Sequence, residues 1–597
     1  MTETMLPKLI QPSPWLAYRT YEHSGQWRSI ILNECDHEMI ILEGAASAMW
    51  GAIEGGVYSC DLSDLATKHG QAESELVDFI DELAMAGLLA CEKMSEPVSA
   101  KPAPITKRLE FASNTDEEYA MIEWATNHGF LYSAQWEVTF RCNEACVHCY
   151  NPGAAHSPHE RNERKRNELT TQEAKRMLDA LVRCGVFRLI LSGGEATLRR
   201  DFFEIFAYAR KLGFAVALYT NGQTATDDFI EKLAKLWPTS VSISVYSANP
   251  SVHDEITRVP NSFAKSIEAL KKFQARGIKT YIKSIQMSHT VSGFELVQDL
   301  ATSLGAGAEV DMHFSDGADG ARLTGSLSVD DPVTLVSMAM TPSSPMYVGD
   351  SKTNFGAIKK DRDSTVCGSG VSFMYIDPEG NFSPCSSMPI GAVNIRDGGL
   401  EDHWKQSPIG KQGPWSCDIL QASGEPSEGT LNWWQGIRLR DYRECGTHRR
   451  CSWCTKCPGL AYLQYGDVLG PSTVNCRNAG ARMIAADLLQ AGVNRDAVIG
   501  SDAIGFGRSS GIRRLPLIIQ QPHAERSITC ATGSCSGCVT TSAVGGNSTY
   551  SSFYPGLELD SGPHEIVSAL RELDRFTKKF VGVLPSNPVD LARRSIG

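Results

Sequence analysis

The chain has 597 residues, far more than the roughly 100–200 of a single domain, which predicts two to four hydrophobic cores. Hydrophobic residues make up 42% and charged residues 21% of it, as in soluble globular proteins, which argues against a disordered or fibrous chain. The 57 basic and 69 acidic residues leave a net charge of −12, which disfavours nucleic acid as a partner. No apolar stretch approaches the length of a membrane span, about 18 residues, and Met1 to Trp15 lacks the order of a secretory signal, so we expect a cytoplasmic protein with no membrane partner.

The 18 cysteines are the most unusual feature of the composition. A cytoplasm keeps thiols reduced, so clustered cysteines in such a chain indicate metal binding or catalysis rather than disulfide bonds. Their spacing therefore decides the functional prediction.

Residues 15–95 are predicted to form a small winged-helix-like domain, because two β-rich runs precede three helical stretches. The runs are Arg28 to Asn33 and His37 to Leu42, and the helices begin near Ala45, Leu62 and Ala72. Residues 96–125 follow as a linker, since proline and charge together favour an extended chain.

Residues 126–345 alternate short β-rich runs with amphipathic helices, which predicts a parallel sheet or barrel of the α/β class. Thr170 and Glu173 have the spacing of a capping box, which marks the start of one helix. Parallel α/β barrels carry their functional groups at the C-terminal ends of the strands, so site residues are expected there. The six predicted strands are Trp136 to Phe140, Phe187 to Leu191, Phe214 to Tyr219, Val241 to Val245, Thr280 to Met287 and Glu309 to Phe314.

Three cysteines, Cys142, Cys146 and Cys149, lie in the loop after the first predicted strand. Iron-sulfur cubes are held by cysteine thiolates and contain four irons, so three ligands leave one iron free to bind another group. A zinc site completed by His148 and a set of buried thiols are the alternatives, and the spacing is unusual for zinc.

This cysteine spacing, with His148 before the last cysteine, resembles the CX3CXΦC signature of radical S-adenosyl-L-methionine (SAM) enzymes. The resemblance extends over the strand series to about residue 315 and implies a partial (β/α)6 radical SAM barrel. It also implies that the open iron of a 4Fe-4S cluster chelates SAM. Reductive cleavage of SAM would then give a 5'-deoxyadenosyl radical that abstracts hydrogen from a substrate.

Further residues fit the radical SAM pattern by their position after a strand. The segment Ser192-Gly193-Gly194-Glu195 follows the second strand, and in the family it holds the methionyl amino group of SAM, whereas an ordinary glycine turn is the alternative. Arg258 resembles the arginine that binds the SAM carboxylate, with a solvated surface arginine as the alternative. The resemblance assigns SAM contacts to His148, Tyr150, Gly193, Gly194, Glu195, Asn221, Ser242, Ser244 and Arg258.

A second cysteine array lies within residues 346–490. Cys367 and Cys385 flank Gly380 in a CX12GX4C pattern, which resembles the first half of the SPASM domain that carries two auxiliary 4Fe-4S clusters in radical SAM enzymes. The second half departs from the usual family pattern, because this chain has CX5CX2CX2C before its last cysteine. Either one iron is open or Cys417 supplies the eighth ligand, and zinc is the alternative metal. By order, the resemblance assigns Cys367, Cys385 and Cys457 to one cluster and Cys445, Cys451, Cys454 and Cys476 to the other.

Residues 15–95, placed before such a barrel, resemble the PqqD-like RiPP recognition element, which binds the leader of a ribosomally synthesised precursor peptide. A sheet edge beside a helix offers strand addition, in which backbone hydrogen bonds supply the affinity. A dimerisation domain or a purely structural domain is the alternative.

The C-terminal extension, residues 491–597, has no predicted role as a whole. Cys530, Cys535 and Cys538 within it are interpreted as reactive thiols or a small metal site, or as part of a peptide substrate in cis.

These resemblances together predict a radical SAM/SPASM peptide maturase, an oxidoreductase-type enzyme of RiPP biosynthesis. It would bind a precursor peptide by its leader, receive electrons from a flavodoxin- or ferredoxin-type reductant, and crosslink the core peptide after hydrogen abstraction. Family frequency favours a thioether over a carbon–carbon bond. Peptide epimerisation and oxidation of a protein residue are the enzymatic alternatives, and a multi-cluster electron-transfer or peptide-binding protein is the non-enzymatic one.

Overall fold

The computed structural model describes residues 9–58, 61–68, 72–91, 116–151, 167–312, 327–349, 363–413, 430–443, 445 and 448–501. Three sheets and the helices packed on them make up this part of the chain. None of its helices combines the length and apolarity needed to cross a membrane. Four cysteines of the sequence predictions lie outside the described residues: Cys417, Cys530, Cys535 and Cys538.

The N-terminal unit contains the two predicted β-rich runs and the three predicted helices. A three-stranded antiparallel sheet in the order β2-β3-β4 packs one face on the helices, where Trp50 is fully buried. Strand β1, which the sequence did not predict, pairs with β5 and β6 and lies ahead of the predicted domain start at residue 15. The elements are β1 (Leu9–Pro12), β2 (Leu16–His23), β3 (Gln26–Asn33), β4 (Glu38–Glu43), α1 (Gly44–Ile53), β5 (Val57–Tyr58), α2 (Leu62–Lys68), α3 (Glu73–Met85) and β6 (Leu89–Cys91).

Six parallel strands follow in the spatial order of the chain, which confirms the predicted α/β sheet. The strands are β7 (Ser133–Glu137), β8 (Arg188–Ser192), β9 (Ala215–Thr220), β10 (Ser240–Ser244), β11 (Thr280–Ile285) and β12 (Gly307–Asp311). The helices are α4 (Asp116–Asn127), α5 (Thr171–Arg183), α6 (Phe202–Lys211), α7 (Asp227–Ala234), α8 (Pro250–Thr257), α9 (Ser262–Gln274) and α10 (Phe294–Ser303).

Apolar side chains on the helix side of these strands form the main core, in which Leu189, Leu218 and Ile243 are fully buried. The predicted capping box of α5 is present, because Thr170 N donates to Glu173 Oε2 over 2.8 Å and Glu173 N donates to Thr170 Oγ1 over 3.3 Å. The parallel strands thus bring the segments that follow β7 to β10 to one edge of the sheet.

The segment with the second cysteine array continues the same sheet. Strand β13 pairs with β7 in parallel, and β14 and β15 add antiparallel strands, which gives nine strands in all. The turn predicted around Gly380 is a hairpin, in which Asp377 Oδ1 accepts from the backbone N–H groups of Glu379 and Asn381. The elements are α11 (Pro332–Ala339), β13 (Phe373–Ile376), β14 (Asn381–Ser383), β15 (Val393–Asn394), α12 (Leu400–Gln406), α13 (Leu431–Gly436), α14 (Pro458–Tyr465), α15 (Thr473–Gln490) and α16 (Arg495–Ser501).

The N-terminal unit is docked on the N-terminal ends of the barrel strands. Arg19 donates to the carbonyl oxygens of Val186 and Leu212, over 2.9 and 3.0 Å, just before β8 and β9 begin. On the same side, Glu34 Oε1 accepts from Thr239 Oγ1 over 2.6 Å and lies 3.5 Å from Arg210 Nη1. Buried charged contacts of this kind hold the unit on the face opposite to the predicted site.

Candidate active site

The three-cysteine loop follows β7, as the sequence predicted, and is tied to the end of α8. Ala145 N donates to Thr257 O over 3.1 Å, and Val147 N donates to Ile256 O over 2.9 Å. Burial raises the pKa of Cys142 to about 12, and burial together with the nearby charges of Glu144, Cys149 and Cys142 raises that of Cys146. Such thiols lose their protons near pH 7 only when a metal or another positive charge stabilises the thiolate.

This donor set of three cysteines in one loop is compatible with an iron-sulfur cluster. Cys142, Cys146 and Cys149 are partly exposed and act on one another electrostatically. Among the described residues, no group of three His, Cys, Asp or Glu side chains is placed to hold a metal ion as it stands. Three thiolates with one position left open suit the four irons of a cubic cluster, and zinc stays the alternative.

The predicted glycine segment lies directly against the short segment between the end of β7 and the first cysteine. Gly194 N donates to Thr139 O over 2.8 Å, and Glu195 N donates to Arg141 O over 2.7 Å. A β-carbon at Gly193 would lie 2.4 Å from the carbonyl oxygen of Thr139, and one at Gly194 would lie 2.4 Å from that of Arg141. Only glycine permits this approach, and Gly193 also has a φ of +138°.

Glu195 is buried and bonded to the protein rather than open to a ligand. Its Oε2 accepts from Asn221 N over 2.8 Å, and its Oε1 accepts from Thr220 Oγ1 over 2.8 Å. Asn221 Nδ2 in turn donates to Asn143 Oδ1 over 2.7 Å, inside the cysteine loop. Glu195 and Asn221 thus connect the ends of β8 and β9 to the cysteine loop. The sequence analysis did not single out Asn143, the residue that completes this series of hydrogen bonds.

Several buried polar atoms near the loop have no hydrogen-bond partner within the described residues, among them Ser242 Oγ, His148 Nδ1 and Glu144 Oε1. Burial lowers the pKa of His148 to about 4, so its ring is neutral near pH 7 and packs edge-on against Tyr246, with ring centroids 4.4 Å apart. Ser244 is hydrogen-bonded to Tyr246. Such unpartnered atoms fit a polar ligand such as SAM, with its amino, hydroxyl and adenine groups.

Two of the predicted SAM-binding residues have other surroundings. Tyr150 donates its hydroxyl to Glu137 at the end of β7, and Tyr375 on β13 is hydrogen-bonded to the same buried carboxylate. The charges of both Cys149 and Cys385 contribute to raising the pKa of Tyr150, after burial. Arg258 is the left-handed residue that ends α8, and its side chain is exposed. The sequence carried no signal for the Glu137 contacts, because they join segments far apart in the chain.

Electrostatic interactions link the seven cysteines of the second array in two groups. Cys367, Cys385 and Cys457, the first group, act on one another electrostatically. Cys445, Cys451, Cys454 and Cys476 form the second group, because Cys445 and Cys451 act on Cys476, and Lys456 feels Cys445, Cys454 and Cys476. Tyr442 lies between the groups, since the charges of Cys367, Cys445 and Cys457 all raise its pKa, after burial. Thiols that cluster in this way suit soft metals and iron-sulfur clusters.

Residues 136–292 match the family model of the Radical SAM superfamily. The chain is similar to the AdoMet-dependent heme synthase of Methanosarcina barkeri, with 27% identity over 361 residues, 56% of this chain and 93% of that protein. It is also similar to the mycofactocin maturase MftC of Mycobacterium tuberculosis, with 29% identity over 285 residues, 46% of this chain and 70% of the maturase. Among solved structures, Streptococcus suis SuiB bound to S-adenosylmethionine aligns with a TM-score of 0.44 and 14% identity, over 78% of this chain and 99% of SuiB. The matched residues 136–292 contain the three-cysteine loop and the ends of β8 to β11.

Proposed function

We propose that this chain, whose residues 136–292 form a radical SAM domain, is a peptide maturase that crosslinks the core of a ribosomally made precursor. The observation that carries the proposal is the three-cysteine loop at the C-terminal edge of the parallel sheet, locked to the glycine segment after β8. The chain is similar in sequence to MftC, which is a mycofactocin maturase. With a 4Fe-4S cluster and SAM bound there, the site would supply a 5'-deoxyadenosyl radical that removes a hydrogen atom from the peptide.

The chain's own residues would bind and orient the cofactors. Cys142, Cys146 and Cys149 would hold the cluster, and the glycine segment fixes the loop at its place on the sheet. The Glu195–Asn221–Asn143 chain of hydrogen bonds keeps the ends of β8 and β9 in register with the loop. A neutral His148 adds no charge beside the cysteines.

The two cysteine groups of the second array would hold auxiliary clusters, with three cysteines in the first group and four in the second. A fourth cysteine is not required of the first group, because an iron without a protein ligand can bind a thiolate of the substrate. If Cys417, which lies outside the described residues, does not supply this ligand, such an iron would be open to a substrate cysteine, and a thioether is the product that family frequency favours. A flavodoxin- or ferredoxin-type protein would reduce the first cluster.

The leader of the precursor would bind the N-terminal unit at β4. This strand is an edge of its sheet within the described residues, and a cavity of about 420 Å³ lies between it and α4. Apolar and charged side chains line the cavity together, which suits a peptide that adds as a strand. The lining residues are Arg28, Met39, Ile41, Glu43, Glu117, Ala120 and Met121.

The test is anaerobic co-expression with each short open reading frame beside the gene, followed by high-resolution mass spectrometry of the peptides. Loss of two hydrogens, with fragmentation blocked between two positions, supports a crosslinking maturase, and Cys146→Ala should abolish that product. An unchanged mass that gains deuterium from heavy water would make the enzyme an epimerase instead. Unmodified peptides throughout would contradict the proposal.

Similarity to the heme synthase favours a second candidate, a SAM-dependent reaction on a porphyrin. Purified enzyme with SAM, reductant and a porphyrin precursor of heme would then produce heme, visible by absorbance and mass. In the N-terminal unit, β4 is an edge strand among the described residues, and this edge favours a peptide substrate over a porphyrin.

A further inference from the structure

Polar side chains occupy one face of strands β9 to β12, opposite to the face that packs on the helices. Side chains alternate along a strand, and the helix-side positions Leu218, Ile243 and Ile282 belong to the main apolar core. The positions between them carry hydroxyl and charged groups. We call these positions the inner face: Tyr219, Ser242, Ser244, Tyr281, Lys283 and Glu309.

Lys283 and Glu309 lie beside a predicted SAM contact. The strand register pairs Ser244 with Lys283 and Lys283 with Glu309, so the three residues form one row across the sheet. Ile285 lies two residues beyond Lys283 and packs against the same small apolar cluster as Cys146 of the cysteine loop. Lys283 is therefore set back by about 7 Å along β11 from the position that shares a cluster with the loop.

The Lys283 ammonium is held in place without being buried. Its Nζ lies 3.1 Å from Glu309 Oε2 and 4.4 Å from the centroid of the Tyr219 ring. The side chains of Lys283 and Glu309 are 39% and 37% exposed, so a ligand can reach both of them. The inner face thus presents a charged donor and a charged acceptor side by side.

Ser242 gives a second indication that a ligand binds on this face. It is 2% exposed, and its Oγ has no hydrogen-bond partner within the described residues. The register pairs Ser242 with Tyr219 and with Tyr281, which places it on the inner face between two tyrosines. A buried hydroxyl without a partner costs free energy, and the resemblance assigns SAM to this serine. A substrate that gives a hydrogen atom to a radical from SAM must lie next to SAM, where the Lys283–Glu309 pair is.

The backbone of an extended peptide is chemically complementary to this pair. The N–H and C=O of one extended residue point to the same side, so they offer an acceptor to Lys283 and a donor to Glu309. A lone carboxylate would be repelled by Glu309, and a lone ammonium would be repelled by Lys283. An ion pair as exposed as this one adds little to stability, so its removal should leave the fold intact.

We propose that Lys283 and Glu309 bind the backbone of the core peptide, with Lys283 donating to the C=O and Glu309 accepting from the N–H of one extended residue. The inference rests on the proposed function, because it requires a peptide substrate beside SAM. These two contacts hold the core residue in place for hydrogen abstraction, while the leader supplies most of the affinity at β4. Their loss therefore lowers kcat rather than raising the KM for the precursor.

The test is steady-state crosslinking by the purified, anaerobically reconstituted full-length protein, with the precursor identified by co-expression. Lys283→Met should lower kcat about tenfold, the effect of one lost charged hydrogen bond, and should leave the KM for the precursor at the parent value. Lys232→Met is the matched control, because it removes an ion pair with Asp228 on α7, far from the inner face in the sequence. It should change neither constant.

Exchange of the two residues separates peptide binding from support of the sheet. Lys283→Glu combined with Glu309→Lys restores an ion pair but swaps donor and acceptor, so kcat should stay about tenfold below the parent value. A parent-like kcat in this variant or in Lys283→Met overturns the proposal. A raised KM for SAM in Lys283→Met also overturns it, because the pair would then hold SAM.

A thermal melt shows whether the exchanged variant folds. If it does not, Glu309→Gln takes its place, and kcat should fall about fivefold because a neutral acceptor binds an N–H less strongly than a carboxylate does. A parent-like kcat in Glu309→Gln overturns the proposal equally. Absence of any crosslink in the parent would instead contradict the proposed function, a result that mass spectrometry of the parent reaction separates from an unchanged kcat.

Discussion

Replacement of Gly194 by alanine tests whether the glycine segment sets the position of the cysteine loop. The new β-carbon would lie 2.4 Å from the carbonyl oxygen of Arg141 and 2.7 Å from that of Phe140. Ordinary contacts begin at 3.4 Å, so the two backbone segments must separate by about 1 Å, the difference between 3.4 and 2.4 Å. Overpacking of this kind costs about 1–3 kcal/mol. A displacement of about 1 Å at reacting groups can slow a reaction about 100-fold.

The assay is the release of 5'-deoxyadenosine by anaerobic protein, together with iron content and a thermal melt. We expect Gly194→Ala to cleave SAM about 100-fold more slowly while still folding. Gly293→Ala is the matched control, because a β-carbon there meets nothing within 4 Å, and it should retain the parent rate. Parent-like cleavage by Gly194→Ala would refute the idea that this contact positions the loop.

Three further predictions concern the N-terminal unit. Burial raises the pKa of Glu34 to about 7, so the folded protein holds the carboxyl proton of Glu34 more tightly than the unfolded chain does. The stability that this proton contributes is present below about pH 4.5 and is lost as the pH rises towards 7. Chemical denaturation should therefore show Glu34→Gln gaining stability relative to the parent between about pH 5 and 8, by at most about 3 kcal/mol, and a pH-independent difference would contradict the assigned pKa. Arg19→Met should lower the free energy of unfolding by about 3 kcal/mol, because two charged hydrogen bonds are lost. Arg183→Met removes an exposed ion pair with Glu401 and should lower it by less than about 1 kcal/mol. Equal losses would show that Arg19 does not anchor the N-terminal unit. Ala120→Trp fills the cavity beside β4 and should weaken binding of the precursor identified by co-expression, while SAM cleavage without the precursor should stay unchanged. Calorimetry measures the affinity, and Ala275→Trp at the exposed end of α9 is the control. Full affinity in Ala120→Trp would place the leader elsewhere.

The parallel sheet and the cysteine loop could be predicted because their signals are local. A strand followed by CX3CX2C, or a glycine pair after the next strand, is visible within a few residues of sequence. The parallel sheet formed by β7 to β12 followed from the alternation of strands and helices, whereas the spatial order of the strands was not predicted.

Contacts between distant segments could not be predicted from such patterns. Tyr150 and Tyr375 both contact Glu137, and the residues involved are up to 238 positions apart, from 137 to 375. No sequence pattern around Glu137 indicates these two tyrosines as its partners. The anchoring of Arg19 on Val186 and Leu212 is likewise a property of the folded chain, since backbone carbonyl groups carry no sequence signature. The two cysteine groups could be assigned by order only through resemblance, and their ligation stays a prediction.

The docking position of the N-terminal unit sets a minimum length for the part of a precursor peptide that connects β4 to the cysteine loop. Arg19 and Glu34 contact residues just before β8, β9 and β10, whereas the cysteine loop lies beyond the opposite ends of these strands. A strand of five or six residues is about 17–20 Å long, and an extended peptide covers about 3.3 Å per residue. A precursor held at β4 and modified at the loop therefore needs a tether of at least about six residues between the two sites. Within that limit, tethering raises the local concentration of the core peptide at the site, and a shorter tether forfeits this gain entirely.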